Sequence, residues 1–281
     1  ESSKNVIYTG AAPNQQAIPA IDYLRNEVGI ERWVLEGTDY VYPRTTNRIL
    51  EAYLKDELGV ADEDISINYT PFGHSDWQTR VSEIESFGSA GKPTAVVSTI
   101  NGDANVPFYL ELANQEISAE DIPVVAFSVG EEELSGLDTE PLVGHLAAWN
   151  YFQSIEDEGN SEFIANWKQR MGESRTTNDP MEAHYIGFNL WAKAVEQAGT
   201  TDVDAVLAAL PGTETANLTG GTAELLANHH ITKPVLIGEI QDDGQFDIVW
   251  ETTGLVAGDA WSSYLPESAK LFSSWSKPFS C

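Results

Sequence analysis

The stretch Gly37–Arg44, GTDYVYPR, stands between two different kinds of sequence pattern. Before it, Arg32–Leu35 is a short run rich in strand-forming residues. After it, Thr45–Leu54 carries apolar residues at helical spacing. The stretch is therefore predicted to be a loop that leaves the carboxyl end of a strand and enters a helix. In open α/β sheets, ligands bind at that edge.

Two tyrosines, Tyr40 and Tyr42, stand in this stretch, with Asp39 before them and Pro43 after them. A tyrosine offers an apolar ring and one hydroxyl group that donates or accepts a hydrogen bond. Such a loop suits a small polar ligand. The alternative is that one tyrosine packs under the helix while the other is exposed without a role in binding.

Further along the chain, short runs of strand-forming residues alternate with polar loops and helical patterns. Two such runs are Ala95–Ile100 and Val124–Phe127, and a third begins at Leu142. The alternation predicts an α/β fold in which a mostly parallel sheet is flanked by helices on both faces. Towards the end of the chain, the pair Asp243 and Gly244 between two apolar runs predicts a hairpin.

Three local patterns lead to further predictions. Val6–Thr9 reads as a strand, and Ser75 or Asp76 reads as the cap of a helix that ends near Phe87. Pro180–Ala198 is the longest predicted helix, and we expect its apolar face to pack into a core. The residues assigned to that face are Tyr185, Phe188, Trp191, Ala192 and Val195.

The chain of 281 residues is strongly acidic, since 44 Asp and Glu residues oppose 15 Lys and Arg residues for a net charge of −29. This charge disfavours nucleic acid as a partner, because its recognition relies on basic residues that neutralise phosphates. An anionic bilayer would also repel the protein, and no apolar run is long enough to span one, so we expect no direct membrane insertion. The one cysteine, Cys281, allows no disulfide within the chain.

Motifs of catalysis and metal binding are weak. The five histidines show no metal-ligand spacing, and the chain has no G-x-S-x-G nucleophile elbow. The sequence around Gly91 and Lys92 departs from a phosphate loop at two positions. Ser86 stands where the first glycine is required, and Pro93 replaces the final Ser or Thr. The acidic turns at residues 62–64 and 242–243 carry less than a full set of calcium ligands. We therefore predict no resident metal, no cofactor and no catalytic residues.

Polar and aromatic residues follow the predicted strands at their carboxyl ends. Because parallel strands present these ends at one edge of the sheet, we expect the loops to meet there. The loops offer hydroxyls, amides, carboxylates and aromatic rings, but no cluster of Lys or Arg that could hold an anion. The expected ligand is small, neutral and rich in N–H donors. The candidate ligand-binding residues are Tyr40, Tyr42, Asn101, Gly102, Asp103, Ser128, Glu131 and Trp149.

Seven stretches carry a more specific pattern: Asn5–Gln16, Gly37–Thr45, Tyr69–Asp76, Asn101–Phe108, Phe127–Glu133, Gly144–Tyr151 and Asn178–Ala183. They resemble the urea-binding proteins of bacterial urea ABC transporters, and the resemblance extends to about Tyr264. The wider group includes amide-sensing regulators and branched-chain amino-acid-binding proteins. The tyrosine pair is similar to the amide-binding tyrosines of the amide sensors, which implies that Tyr40 and Tyr42 contact the ligand.

The resemblance implies the two-lobe fold of type I periplasmic binding proteins. Each lobe is then a mostly parallel sheet flanked by helices, and the lobes are joined by three crossovers and close on the ligand. Lobe 1 is expected to comprise residues 1–13 and 148–228, and lobe 2 residues 14–147 and 229–281. The family has an N-terminal half-lobe before the position of Asn5 that has no counterpart in this sequence, so lobe 1 is expected to be incomplete.

The resemblance also implies a function. The expected role is the capture of urea in the periplasm or another extracytoplasmic compartment and its delivery to the membrane permease of an ABC transporter. A tether to the membrane through the N-terminal part of the family is one possibility. Asp103 or Glu131 would accept hydrogen bonds from urea, and a tyrosine hydroxyl would donate to its carbonyl. A short-chain amide such as acetamide is the nearest alternative ligand, and an amino-acid binder and an amidohydrolase are more distant alternatives.

Overall fold

The computed structural model describes residues 3, 5–135 and 138–270, and the chain divides into two compact units. Unit 1 comprises the described residues of Glu1–Gln16, Trp149–Leu236 and Glu251–Ser280. Unit 2 comprises the described residues of Ala17–Ala148 and Ile237–Trp250. The predicted lobe 2 included all of residues 229–281, whereas 229–236 and the described residues from 251 onwards lie in unit 1. Cys281 lies outside the described residues.

Eleven strands and eight α-helices are formed by the described residues. The strands are β1 (Arg32–Thr38), β2 (Ile65–Thr70), β3 (Thr94–Thr99), β4 (Val124–Ala126), β5 (Leu146–Trp149), β6 (Glu214–Ala216), β7 (Thr222–Glu224), β8 (Thr232–Lys233), β9 (Leu236–Ile240), β10 (Phe246–Glu251) and β11 (Val256–Ala257). The helices are α1 (Ala17–Tyr23), α2 (Val41–Ala52), α3 (Gln78–Gly88), α4 (Asn105–Asn114), α5 (Glu131–Leu134), α6 (Glu158–Met171), α7 (Asp179–Ala198) and α8 (Val203–Ala209).

Unit 2 is built on a seven-stranded sheet with the order β10-β9-β5-β4-β3-β1-β2. The pairs β1/β2, β1/β3, β3/β4 and β4/β5 are all parallel. Every residue of β1, β3 and β4 is buried, as expected for central strands covered on both faces. The predicted α/β fold with a mostly parallel sheet is confirmed. The predicted hairpin is also present, since β9 and β10 are neighbours on either side of Gly244.

Two helix starts in unit 2, those of α2 and α3, differ from the sequence predictions. α1 and α2 each end in a short π-helical segment, Leu24–Val28 and Tyr53–Glu57. The predicted cap of α3 was wrong, because the helix begins at Gln78 and its N-cap residue is Trp77. The buried Trp77 indole donates a hydrogen bond to the carbonyl oxygen of His74, which holds the ring against the segment before the helix.

Unit 1 packs helices α6 to α8 with two small antiparallel sheets, β6/β7 and β8/β11. The predicted apolar face of α7 was wrong for its three aromatic residues, Tyr185, Phe188 and Trp191, which are exposed, whereas Val195 does pack against the core. The buried stripe is Ile186, Leu190 and Ala194, which recur every four residues, whereas Phe188 and Trp191 are 59% and 46% exposed. The rings of Phe188 and Trp191 therefore lie away from the core, which is close-packed around the aliphatic side chains of the stripe.

Two further predictions in unit 1 need correction. Val6–Thr9 does not form a strand, since only Tyr8 makes a single parallel bridge, to His230. The acidic segment 156–160 reads in the sequence as a solvated turn, but it leads directly into α6, which begins at Glu158. Asp157 is the N-cap of that helix and accepts hydrogen bonds from the backbone N–H groups of Gly159 and Asn160.

Candidate functional site

The candidate site begins where β1 ends and α2 begins. β1 continues to Thr38 and α2 starts at Val41, so the connecting loop consists of Asp39 and Tyr40 alone. The loop is thus shorter than predicted, and Tyr42 lies in the first turn of the helix. The two tyrosine rings are partly exposed, and their centres lie 6.1 Å apart.

Gly37 allows α2 to approach the end of β1. A Cβ atom at this position would lie 2.8 Å from the Cβ of Pro43 and closer still to the Thr99 side chain. Real Cβ atoms do not make contacts that short, so glycine is required by space rather than by backbone conformation. The close approach places the first turn of α2 directly above the carboxyl end of the sheet.

A hydrogen-bonded set of side chains links the loops that follow β1, β3 and β4. The Tyr40 hydroxyl donates to Oδ1 of Asn101 at 2.5 Å, and Nδ2 of Asn101 donates to Oγ of Ser128 at 3.1 Å. Ser128 is in turn hydrogen-bonded to the Tyr42 hydroxyl. The backbone N–H of Asn101 donates to the Thr38 hydroxyl at 2.9 Å. Tyr40, Asn101, Ser128 and Tyr42 are called the polar network below.

The polar network lies at the topological switch point of the sheet. β1 stands between β2 and β3, and the chain order of the strands reverses there. In sheets of this kind the crevice outside the carboxyl ends of the two strands is the usual ligand site. Tyr40 follows β1 and Asn101 follows β3, so their hydrogen bond spans this crevice.

The network is electrically neutral. Burial raises the pKa of both Tyr40 and Tyr42, and the hydrogen bond to Ser128 opposes this only in part for Tyr42. Both phenols therefore keep their protons throughout the physiological range. The four residues together offer hydroxyl and amide groups that donate and accept, without a formal charge.

The charged residues beside the network pair with each other. Nε of Arg44 lies 2.6 Å from Oδ1 of Asp39, and the Arg44 guanidinium lies 4.5 Å from the centre of the Tyr69 ring. The hydrogen bond from Arg44 holds the pKa of the exposed Asp39 carboxyl below its usual value. Arg44, in the first turn of α2, is thus already engaged by the Asp39 carboxylate of the preceding loop.

The remaining predicted site residues lie in different surroundings. Gly102 and Asp103 form an exposed turn of 3₁₀-helix after β3, and Gly102 has a φ of 65°. Glu131 is buried at the start of α5, directly after the β4 loop. Trp149 is the last residue of β5 and falls in unit 1, so it is not among the residues that unit 2 brings together.

One residue of this edge was missed by sequence reasoning. Phe72 follows β2, is 62% exposed, and its ring centre lies 4.7 Å from that of Tyr40. The signal that could have revealed it is a large aromatic residue in a turn at the carboxyl end of a strand. Its ring extends the aromatic surface that the two tyrosines begin.

Neither a metal-binding cluster nor a membrane-spanning helix is found among the described residues. Among them, no group of three or more His, Cys, Asp or Glu side chains is arranged to hold a metal ion. No helix in the described ranges combines the length and the apolar character that crossing a bilayer requires.

Comparisons with solved structures show the same fold. An ABC-transporter solute-binding protein from R. palustris in complex with benzoate has a TM-score of 0.75 at 17% identity, and the match covers 92% of this chain and 68% of that one. A leucine-binding protein from Thermotoga maritima has a TM-score of 0.71 at 18% identity, over 89% of this chain and 69% of that one. At these identities the likeness establishes the fold alone.

Among curated proteins, a limonene hydroxylase from Geobacillus stearothermophilus is 32% identical over 109 residues, which is 39% of this chain and 20% of that protein. The chain thus spans about a fifth of this relative's length and about two thirds of the solved structures above. A model of the periplasmic binding protein domain matches residues 1–267, nearly the whole sequence. The chain therefore belongs to the periplasmic binding protein family.

Proposed function

We propose that this protein captures a small neutral amide, in the first place urea, outside the cytoplasm and delivers it to the permease of an ABC transporter. The observation that carries the choice of ligand is the polar network, an uncharged set of donors and acceptors at the switch point of the sheet. Membership of the periplasmic binding protein family supports the solute-binding role. The proposal includes no cofactor and no metal.

The chemistry of urea matches that of the network. Urea is planar and presents one carbonyl acceptor and four N–H donors. A tyrosine hydroxyl can donate to the carbonyl, while the oxygens of Asn101 and Ser128 can accept from the N–H groups. Asp103 follows Asn101 by two residues and Glu131 follows Ser128 by three, and these carboxylates would accept further N–H groups. A site built to hydrogen-bond N–H groups rejects ligands that lack them, because its polar groups are then left unpaired.

A short-chain amide such as acetamide is the second candidate, and one observation favours it. The rings of Tyr40 and Phe72 form an apolar surface beside the network, and Phe72 is largely exposed. A methyl group in place of one amino group of urea could lie against these rings. The amide would keep one carbonyl and two N–H groups for the polar network.

The ligands named for the structural neighbours, benzoate and leucine, carry a carboxylate. A carboxylate ligand is best held by an arginine or by several N–H donors. The arginine beside the network, Arg44, is already paired with Asp39. We therefore place urea and simple amides ahead of carboxylate ligands for this chain.

The size of the ligand limits the affinity. Urea has four heavy atoms, and the best small ligands gain about 1.5 kcal/mol per heavy atom, which gives about 6 kcal/mol or a Kd of tens of micromolar. Binding much tighter than this would require a favourable conformational change in addition to the direct contacts.

The proposal is tested by a matched pair of variants and isothermal titration calorimetry. Tyr40→Phe removes the hydroxyl that donates to Asn101, and Tyr53→Phe removes a hydroxyl that donates to Asp22 elsewhere in unit 2. Loss of one neutral hydrogen bond costs about 1 kcal/mol, so we expect Tyr40→Phe to weaken urea binding about fivefold. Tyr53→Phe should leave the Kd unchanged. Equal effects of the two variants, or no effect of Tyr40→Phe, would count against the network as the ligand site.

A further inference from the structure

The described chain passes between the two units at four places, where the resemblance led us to expect three, and one buried side chain contacts three of them. The passages follow Gln16, Ala148, Leu236 and Trp250. Asn150 comes just after the second passage and is buried. Its side-chain amide donates to the carbonyl oxygen of Gln15 at 2.8 Å and to that of Pro234 at 2.7 Å, next to the first and third passages. These acceptors are 135 and 84 residues away from it in sequence.

The fourth passage is joined to the third by a pair of hydrogen bonds. The backbone N–H of Thr252 donates to the carbonyl of Val235 at 3.0 Å, and the N–H of Val235 donates to the Thr252 hydroxyl at 3.0 Å. Val235 is the residue after Pro234, which accepts from Asn150. All four passages are therefore connected, on the unit 1 side, through two short links.

Asn150 is itself held by the start of the long helix α7. Its backbone N–H donates to Oδ1 of Asp179 at 2.9 Å. Behind Asp179, the buried amino group of Lys233 donates a hydrogen bond to the buried carboxyl group of Glu182. Breaking a buried contact of this kind is costly, because the remaining polar group is left without its partner. The backbone of Asn150 is thus anchored to the first residue of α7, a helix of 20 residues.

Gln15 strengthens the same arrangement. Its side chain is fully buried and donates to the carbonyl oxygens of Ile231 and Val256, both at 2.8 Å. Its own carbonyl is the acceptor that Asn150 uses. The side-chain amides of Asn150 and Gln15 therefore connect the segments beside the first, third and fourth passages.

We propose that Asn150 is a positioning residue that couples the four chain passages, so that a backbone movement at one of them is transmitted to the others. Its two side-chain bonds explain why an asparagine suits this position: a short, uncharged amide carries two N–H donors, which here serve two carbonyl groups on separate segments. The buried Asn105 serves a single segment, since its Nδ2 donates to the carbonyls of Ile100 and Gly102 in one loop. Asn160, in the same unit as Asn150, is of that kind, since its Nδ2 donates to the carbonyls of Gln153 and Ile155 within one loop. The inference does not depend on which ligand the protein binds.

Hydrogen exchange of the full chain, followed by mass spectrometry, tests this coupling directly. Asn150→Ala and Asn160→Ala each remove two hydrogen bonds to backbone carbonyls from a buried position, and Asn160→Ala also removes the acceptor of the Tyr151 hydroxyl. For Asn150→Ala we expect exchange about tenfold faster or more in peptides that cover residues 12–18 and 233–238. The free energy of local opening there should fall, because the two hydrogen bonds that oppose it are gone. For Asn160→Ala the faster exchange should stay within residues 151–162. If exchange in Asn150→Ala is faster only within residues 148–152, the proposal is overturned.

A second variant keeps the test decisive where Asn150→Ala does not fold. Thr252→Val removes the hydroxyl acceptor of the Val235 N–H and leaves Asn150 in place, at a partly exposed position. Under the proposal, exchange rises severalfold both in residues 233–238 and, through Asn150, in residues 12–18. Faster exchange that is restricted to residues 233–238 and 250–256 would show that the passages move independently, and the proposal would be wrong.

Discussion

His145 provides a quantitative prediction about the core of unit 2. The residue precedes β5 and is fully buried, and the backbone N–H of Val124 at the start of β4 donates to its Nδ1 at 3.1 Å. Because Nδ1 accepts, the proton of the neutral ring is on Nε2. The only other titratable ring contact described for His145 is Tyr109, whose ring centre lies 5.7 Å away and whose pKa is raised by burial. Because His145 is buried without a charged partner among these contacts, we expect its ring to be neutral in the folded protein.

The magnitude follows from the pKa. Burial lowers the pKa of His145 from 6.5 to about 4, and one pKa unit corresponds to about 1.4 kcal/mol, so the whole effect is about 3 kcal/mol. A base with a lowered pKa contributes stability that is fully present above its unfolded pKa of 6.5 and is lost as the pH falls through about 4. Between about pH 7 and about pH 5, roughly 2 kcal/mol of this stability should be lost.

The assay compares the wild type with His145→Asn, in which the amide oxygen can still accept from Val124 but no ionisation occurs. Guanidinium chloride unfolding is followed at about pH 7 and about pH 5, above the sequence pI of 4.2. Guanidinium chloride is chosen because urea is the proposed ligand. The stability advantage of the wild type should shrink by about 2 kcal/mol at the lower pH. An advantage that is the same at both pH values would refute the argument, since the size change contributes equally at each.

Two further predictions concern Glu182 and Gly37. Burial raises the pKa of Glu182 from 4.5 to about 7, so its contribution to stability is present below 4.5 and is lost as the pH rises through about 7. Relative to Glu182→Gln, the free energy of unfolding of the wild type should therefore fall between pH 4.5 and about 7. This pH dependence runs in the opposite direction to that expected for His145. Gly37→Ala places a methyl group 2.8 Å from the Cβ of Pro43, and we expect a loss of about 1–3 kcal/mol in chemical unfolding together with weaker ligand binding. An unchanged unfolding midpoint would show that α2 shifts without cost.

The sheet of unit 2 could be predicted because its strands are short, continuous apolar runs separated by clear turn signals. β3 and β4 match the predicted strands to within a residue or two. The buried face of α7 could not be predicted in the same way. Its aromatic and aliphatic residues both recur at helical spacing, so periodicity alone does not decide between them. The core of unit 1 selects the stripe of Ile186, Leu190 and Ala194.

The candidate site was predictable in outline. Because parallel strands end at one edge, Tyr40, Asn101 and Ser128 were expected to come together, and the structure places all three in one hydrogen-bonded network. The individual hydrogen bonds depend on rotamers and loop length, which the sequence pattern does not encode. Asn150 illustrates the limit, because its acceptors are 135 and 84 residues away and no local pattern connects them.

The most direct test of the central claim is a calorimetric titration of the protein with urea, followed by acetamide and leucine. The account predicts saturable one-to-one binding of urea with a Kd of tens of micromolar, weaker binding of acetamide and no heat with leucine. Binding of acetamide alone would move the ligand to the second candidate. Binding of leucine without urea or acetamide would contradict the claim that a neutral network at the switch point selects a neutral amide.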